Sequence, residues 1–155
     1  MILFRLGTFG FFYSDELDDV KGNQGFWDQA MALQWIKDNI RYFGGDPNAI
    51  TISGESAGSW SVSALIMSPV TRDLFNKAIM MSGSSLFRVF SEPQELVQNL
   101  LIGIRKFGCA TDDDKTISKK IVDCLQELDA DKLDKIVHVF RKDLFGMFNC
   151  LVSFH

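Results

Sequence analysis

A serine set between two glycines, Gly54-Glu55-Ser56-Ala57-Gly58, is the stretch whose residue types and spacing could do covalent chemistry. It follows a β-branched run, Ile50-Thr51-Ile52, and opens directly into Ser59-Trp60-Ser61-Val62-Ser63-Ala64-Leu65-Ile66-Met67. The order reads as strand, sharp turn and helix, with Ser56 at the apex. That arrangement serves nucleophilic acyl transfer. A hydroxyl on a strained turn is presented for attack on a carbonyl, and flanking glycines let the strand and helix backbones approach without Cβ clashes. The helix start would aim unpaired N–H groups and its positive dipole end at the place where an oxyanion develops. Gly-x-Ser-x-Gly alone is a weak signal, so the surrounding elements must decide.

Those elements have the right order. From about Phe26 to Phe43, Trp27, Met31 and Trp35 recur every four residues, with Ala32, Ile36, Ile40 and Phe43 alongside, which is helical periodicity. The spacing favours core packing over a ligand box for Trp27 and Trp35. Gly44-Gly45 supplies the helix stop, and Asp46-Pro47-Asn48 is turn chemistry leading into the Ile50 strand. After the serine-bearing helix, Ser68-Pro69 marks a break, and Ile79-Met80-Met81 ahead of Ser82-Gly83-Ser84-Ser85 reads as the next buried strand. Helices before and after one apolar strand, then another strand, predict a parallel α/β sheet.

The flanks differ in character. Met1 to Tyr13 reads as an extended apolar entry interrupted by Gly7 and Gly10, and Ser14 to Asn23 as a solvated acidic loop. From Glu92 onward three helical faces follow: Leu96, Leu100, Leu101, Ile104 and Phe107; Ile117, Ile121, Cys124, Leu125 and Leu128; Leu133, Ile136, Val137 and Phe140. Asp112-Asp113-Asp114 and Asp131 stand at or near the starts of the second and third, where negative charge suits the helix dipole.

Composition narrows the classes. With 46% hydrophobic against 23% charged residues, the 155-residue chain is an ordinary globular sequence able to bury a core. A net charge of −4 with no basic block argues against a nucleic-acid binder, and Lys119-Lys120 reads as a solvated helix face. No apolar run approaches the roughly 18 residues of a membrane span. Met1 to Arg5 is too short for a signal peptide's apolar region. Three cysteines, Cys109, Cys124 and Cys150, lack metal-ligand spacing, so a zinc site is not expected, and serine-based acyl transfer of the kind considered above requires no metallic or organic cofactor.

Taken together, Phe4-Arg5-Leu6-Gly7-Thr8-Phe9-Gly10-Phe11, Gly22-Asn23-Gln24-Gly25-Phe26-Trp27-Asp28-Gln29, Ala32-Leu33-Gln34-Trp35-Ile36, Phe43-Gly44-Gly45-Asp46-Pro47 and Gly54-Glu55-Ser56-Ala57-Gly58 resemble the carboxylesterase/cholinesterase (type B) family. Five ordered motifs are far more specific than one, and the resemblance extends over about residues 4 to 140. It implies an α/β fold: the central part of an α/β-hydrolase, with a mostly parallel sheet and nucleophile elbow, plus a C-terminal helical segment. Residues 1–140 are read as that central part and 141–155 as a divergent apolar tail.

By the same resemblance Ser56 matches the nucleophile, Ala57 an oxyanion-hole amide, and Glu55 an acidic neighbour that shapes the local field. A plain surface or buried, paired carboxylate is the alternative for Glu55. Arg5 and Asp28 match a structural ion pair. Cys109 and Cys124 match a disulfide, with two buried free thiols as the alternative, and Cys150 has no partner.

The family's glycine-rich oxyanion loop is expected upstream of Arg5, and its acid and histidine beyond residue 155 in the order Ser, acid, His. His138 reads as a half-exposed structural residue, and His155 does not fit the triad. The implied function is serine-dependent hydrolysis of a small-molecule carboxylic ester in a longer parent, secreted or on the extracellular face, of which this chain is an incomplete part. A cholinesterase-like adhesion or binding domain without catalysis, or an inactive truncation product, are the alternatives.

Overall fold

The computed structural model describes residues 1–86 and 93–138, and these fall into two compact units. One holds residues 1–3 and 26–86, the other 4–25 and 93–138.

The first unit carries the strand–turn–helix. Helix α2 (Gln24–Asn39) tightens into a 3-10 turn over Ile40–Phe43 and stops at Gly44. Gly44 has φ 81°, a left-handed conformation that glycine adopts without a Cβ penalty, and its N–H caps the carbonyls of Arg41 and Ile40. The turn that follows is held by Asp46, whose carboxylate accepts the Asn48 amide at 2.8 Å. Strand β1 (Thr51–Glu55) then leads through Ser56 into helix α3 (Ala57–Met67), and strand β2 (Lys77–Met81) returns parallel to β1. The register pairs Thr51 with Lys77 and Glu55 with Met81. Asn76 fixes it at the start, accepting the Ile50 amide on its side chain at 3.1 Å and donating its own amide to the Ile50 carbonyl at 2.8 Å.

Leu33, Ile50, Ile52, Val62 and Leu65 form the core of this unit. Leu33 comes from α2, Ile52 from β1, and Val62 and Leu65 from α3, so a helix precedes and another follows the strand that carries Ser56. The alternation of helix and parallel strand is the α/β arrangement expected.

Three readings need correction here. Trp27, Met31 and Trp35 are not core: they are 59%, 75% and 55% exposed, while Leu33 is the α2 side chain fully enclosed. Helix α2 is apolar on more than one side, and among the described residues only the Leu33 side is covered. The 79–81 run is a strand but not a buried one, since every residue of β2 is exposed. Beside β1, β2 has no second neighbour among the described residues. The N-terminal entry is not extended throughout: Gly7–Phe11 forms a short helix, α1, closed by Gly10 N–H to the Leu6 carbonyl at 3.1 Å.

The second unit is helical. Around α1 it assembles α4 (Pro93–Lys106), α5 (Lys119–Gln126) and α6 (Ala130–His138). Leu96, Val97, Leu100, Leu101, Ile104, Ile117, Ile121, Leu125 and Ile136 make its core, so all three apolar faces read from the sequence converge. Leu101, Ile104, Ile117 and Ile136 are completely buried. Cys109 and Cys124 are joined in a disulfide that ties the end of α4 to α5, with Cα atoms 5.6 Å apart.

Ser14 anchors the acidic loop onto this core. Its fully buried hydroxyl donates to the Ile117 carbonyl at 2.6 Å and accepts the amides of Glu16 and Leu17 at 3.2 Å. Asp15, Glu16, Asp18 and Asp19 themselves are exposed, as a solvated loop requires. Asp112-Asp113-Asp114 does not cap a helix, because α5 starts only at Lys119 after Ser118. Asp114 instead folds its own turn, accepting the Thr111 amide at 2.7 Å and hydroxyl at 2.8 Å. Asp131 does lie in the first turn of α6. Phe140, Cys150, His155 and the 141–155 tail lie outside the described residues.

Candidate active site

Ser56 is placed by the strand before it, the helix after it, and β2 with the residues that follow β2. Its φ of 51° and ψ of −117° lie where a side chain with a Cβ is strained, and such residues persist only when their surroundings over-determine them. Four constraints do so. The Ser56 amide donates to the Met81 carbonyl at 2.9 Å, extending the β1–β2 ladder by one residue. Its carbonyl accepts the amides of Ser59 at 2.9 Å and Trp60 at 3.1 Å, which starts α3. Gly54 lets the helix fold back onto the strand, since a Cβ there would collide with the Gly58 carbonyl group. Gly83 lies against the same turn: a Cβ on it would stand 2.7 Å from the Ser56 carbonyl oxygen and 2.6 Å from Trp60 Cδ1.

The two glycines of the motif therefore differ. Gly54 is required by contact, whereas a Cβ at Gly58 would meet nothing within 4 Å among the described residues. It is the Gly58 main chain, not its missing side chain, that makes the approach close.

Ser56 occupies the N-cap position of α3 yet its side chain makes no capping hydrogen bond, so the hydroxyl is not spent on the helix. Ala57 is the first helical residue, and the amides of a helix's first turn have no intrahelical acceptor. These two residues place a hydroxyl and an unspent N–H next to each other at the positive end of α3. Glu55 ends β1, is exposed, and among the described residues its carboxylate has no ion-pair partner.

Two further hydroxyls fasten α3 to the segment after β2. Ser59, with no exposed surface, donates to the Gly83 carbonyl at 2.7 Å. Ser63 shares a hydrogen bond with the Ser85 hydroxyl at 2.7 Å, four residues along the same helix. Sequence reasoning did not single these residues out. The only signal was the density of serine and glycine in 82–85 opposite a helix start equally rich in serine.

The other expected site residues are distributed between the units. Arg5, in the segment before α1, belongs to the helical unit, and Asp28, half-buried on α2, to the sheet unit. Trp27, Met31 and Trp35 line an open groove of about 480 Å³ with Asp38, Val70 and Leu74.

Compared with known proteins, residues 1–153 match the model of the carboxylesterase family. The chain is 42% identical over 127 residues to carboxylesterase 5A of Mus musculus, covering 81% of this chain and 21% of that protein. It is 42% identical over 136 residues to a medium-chain fatty acyl-CoA hydrolase precursor of Anas platyrhynchos, covering 87% and 23%. With an acetylcholinesterase of Leptinotarsa decemlineata it shares 40% over 135 residues, covering 82% and 21%. The chain thus spans less than a quarter of the length of each of these three relatives.

Proposed function

Because the chain belongs to the carboxylesterase family, we propose that it forms the nucleophile-bearing part of a serine carboxylic ester hydrolase. The observation that supports this best is the backbone of Ser56: a strained φ of 51° between a parallel strand and a helix, with a hydroxyl that caps nothing. That backbone supports reading the turn as a nucleophile elbow. In this reading Ser56 Oγ attacks the ester carbonyl, a histidine takes its proton, and the Ala57 amide helps hold the oxyanion. The alcohol leaves, and water then hydrolyses the acyl-enzyme. Glu55, one residue before the nucleophile and open to solvent, adds negative charge near the forming imidazolium.

The histidine, its acid and the glycine-rich oxyanion amides are assigned to residues of the whole protein outside these 155. The short span of this chain against its relatives supports that assignment. Loss of the base from such a triad costs on the order of a million-fold, so the 155 residues alone are expected to be essentially inactive. The substrate class is a small-molecule carboxylic ester. A Cys109–Cys124 disulfide fits an oxidising compartment, which supports a secreted or lumenal location.

A fluorophosphonate probe tests the reading in the whole protein. Covalent labelling at Ser56, with fluoride leaving, supports it. An unlabelled Ser56 leaves the non-catalytic adhesion domain as the better account.

A further inference from the structure

We propose that Ser59 is the positioning residue of Ser56, an inference that rests on the hydrolase reading above. A serine early in a helix ordinarily spends its hydroxyl on the local backbone, by capping or by bonding back one turn. Ser59 does neither. Its hydroxyl reaches a carbonyl 24 residues away, on Gly83, at 2.7 Å, while its amide donates to the Ser56 carbonyl at 2.9 Å. One fully buried residue therefore holds both the nucleophile's own peptide group and the segment that runs behind it.

Gly83 makes the link mechanical rather than incidental. It stands so close to Ser56 that even a Cβ would press on the Ser56 carbonyl oxygen at 2.7 Å. The Ser56 carbonyl is thus enclosed by the amides of Ser59 and Trp60 on one side and by Gly83 on another, and the Ser59 hydroxyl closes the ring. Rotation of the Ser56 peptide out of its strained φ and ψ would break the bonds that the Ser59 and Trp60 amides make to its carbonyl, and Ser59 ties that turn to the Gly83 segment. The Ser63–Ser85 bond fastens the same segment four residues farther along α3 and involves neither the Ser56 nor the Gly83 carbonyl.

Removing the Ser59 hydroxyl leaves the fold of the helix intact but frees the Gly83 carbonyl, so the turn relaxes and Ser56 Oγ drifts from its line of attack. A displacement of 1 Å can cost about a hundredfold in rate, and a smaller one costs proportionately less.

The test compares Ser59→Ala with Ser63→Ala in the whole protein. Each removes one hydroxyl from the same helix, and both are expected to melt at lower temperature than the native protein. Fluorophosphonate labelling is resolved into reversible binding and bond formation, counted per folded molecule. Ser59→Ala is expected to slow bond formation by about fivefold or more with binding unchanged. Ser63→Ala should remain within about twofold of the native rate.

Equal slowing in both variants would reduce Ser59 to a general packing role and overturn the inference. So would a native rate in Ser59→Ala when the native protein is labelled at Ser56. A native protein that is not labelled at all removes the hydrolase reading itself, which is a separate outcome. Should Ser59→Ala fail to fold, Ser59→Cys keeps a group of similar size with a weak donor. Slower bond formation in that variant supports the inference, and a native rate overturns it.

Discussion

The amide of Ser56 donates to the carbonyl of Met81 at 2.9 Å, so the residue at the tip of the turn is held by the neighbouring strand before its own helix begins. The parallel register of β1 and β2 therefore does more than pair two strands. It carries the ladder one residue past Glu55 and fixes where the helix must start. A change that shifts this register moves the serine hydroxyl with it.

The two motif glycines are expected to behave differently. Gly54→Ala forces a Cβ into the Gly58 carbonyl group and should cost about 3 kcal/mol, at the severe end for a single substitution. Gly58→Ala enters open space on the first turn of α3 and should be neutral or stabilise by about 0.5–1 kcal/mol through helix propensity. Urea denaturation of both variants of the 155-residue chain measures the contrast. Equal losses would mean that the turn is not built as described.

Reduction of the Cys109–Cys124 bridge should destabilise the helical unit. The cysteines are 15 residues apart, and closing a loop of that size contributes roughly 3 kcal/mol on the chain-entropy model. Unfolding with and without a reductant, beside a Cys109→Ala/Cys124→Ala double variant, reads this directly.

Ser14→Ala should destabilise by about 1–3 kcal/mol although it is a single small side chain on an acidic loop. The hydroxyl, itself with no exposed surface, satisfies the buried Ile117 carbonyl and two partly buried amides. Alanine leaves those groups without their partner. A denaturation midpoint unchanged from the native chain would contradict this arrangement.

Acid should loosen the Thr111 turn before the core melts. Hydrogen bonds from the Thr111 amide and hydroxyl hold Asp114 below the ordinary carboxylate value, and the hydrogen bond from the Lys132 side chain, with its amide, does the same for Asp129. A depressed folded value means the stabilisation is complete above the unfolded value of about 3.9 and is lost as pH falls through the lower folded values. Lys119 beside Asp123 and Lys21 beside Asp18 are shifted upward, so their contribution is complete below about 10.4 and fades as pH rises through the folded values. Lys21, Lys119 and Asp129 are exposed and Asp114 is partly so, so the effects are small and weaken with salt. Carboxyl NMR titration should find Asp114 below the free aspartate value of about 3.9, and Asp114→Asn should flatten the acid limb.

Periodicity and turn chemistry made much of this molecule legible. The three helical faces after residue 92 converged on one core because each carried apolar residues at i, i+3 and i+4, which leaves a helix one way to bury them. Gly44 announced the end of α2, and Ile50 to Gly58 announced strand, turn and helix. What misled was the assumption that an apolar stripe is a buried one. Trp27, Met31 and Trp35 have helical spacing, but spacing does not say which of two apolar sides a neighbour covers, and Leu33 was the one enclosed. Likewise Ile79 to Met81 has strand composition, and composition cannot reveal that the strand is flanked on one edge only among the described residues. The Ser59–Gly83 link was invisible for a different reason: it joins residues 24 apart, each small enough to pass for a turn filler.

The central claim is that Ser56 is an acyl-transfer nucleophile in the whole protein. Incubation with a fluorophosphonate followed by peptide mass mapping tests it most directly. The expected result is one adduct on the peptide containing Gly54-Glu55-Ser56-Ala57-Gly58, absent in Ser56→Ala and absent when the 155 residues are expressed alone. An active esterase whose adduct maps to another residue, or a folded whole protein that takes up no probe, would contradict it.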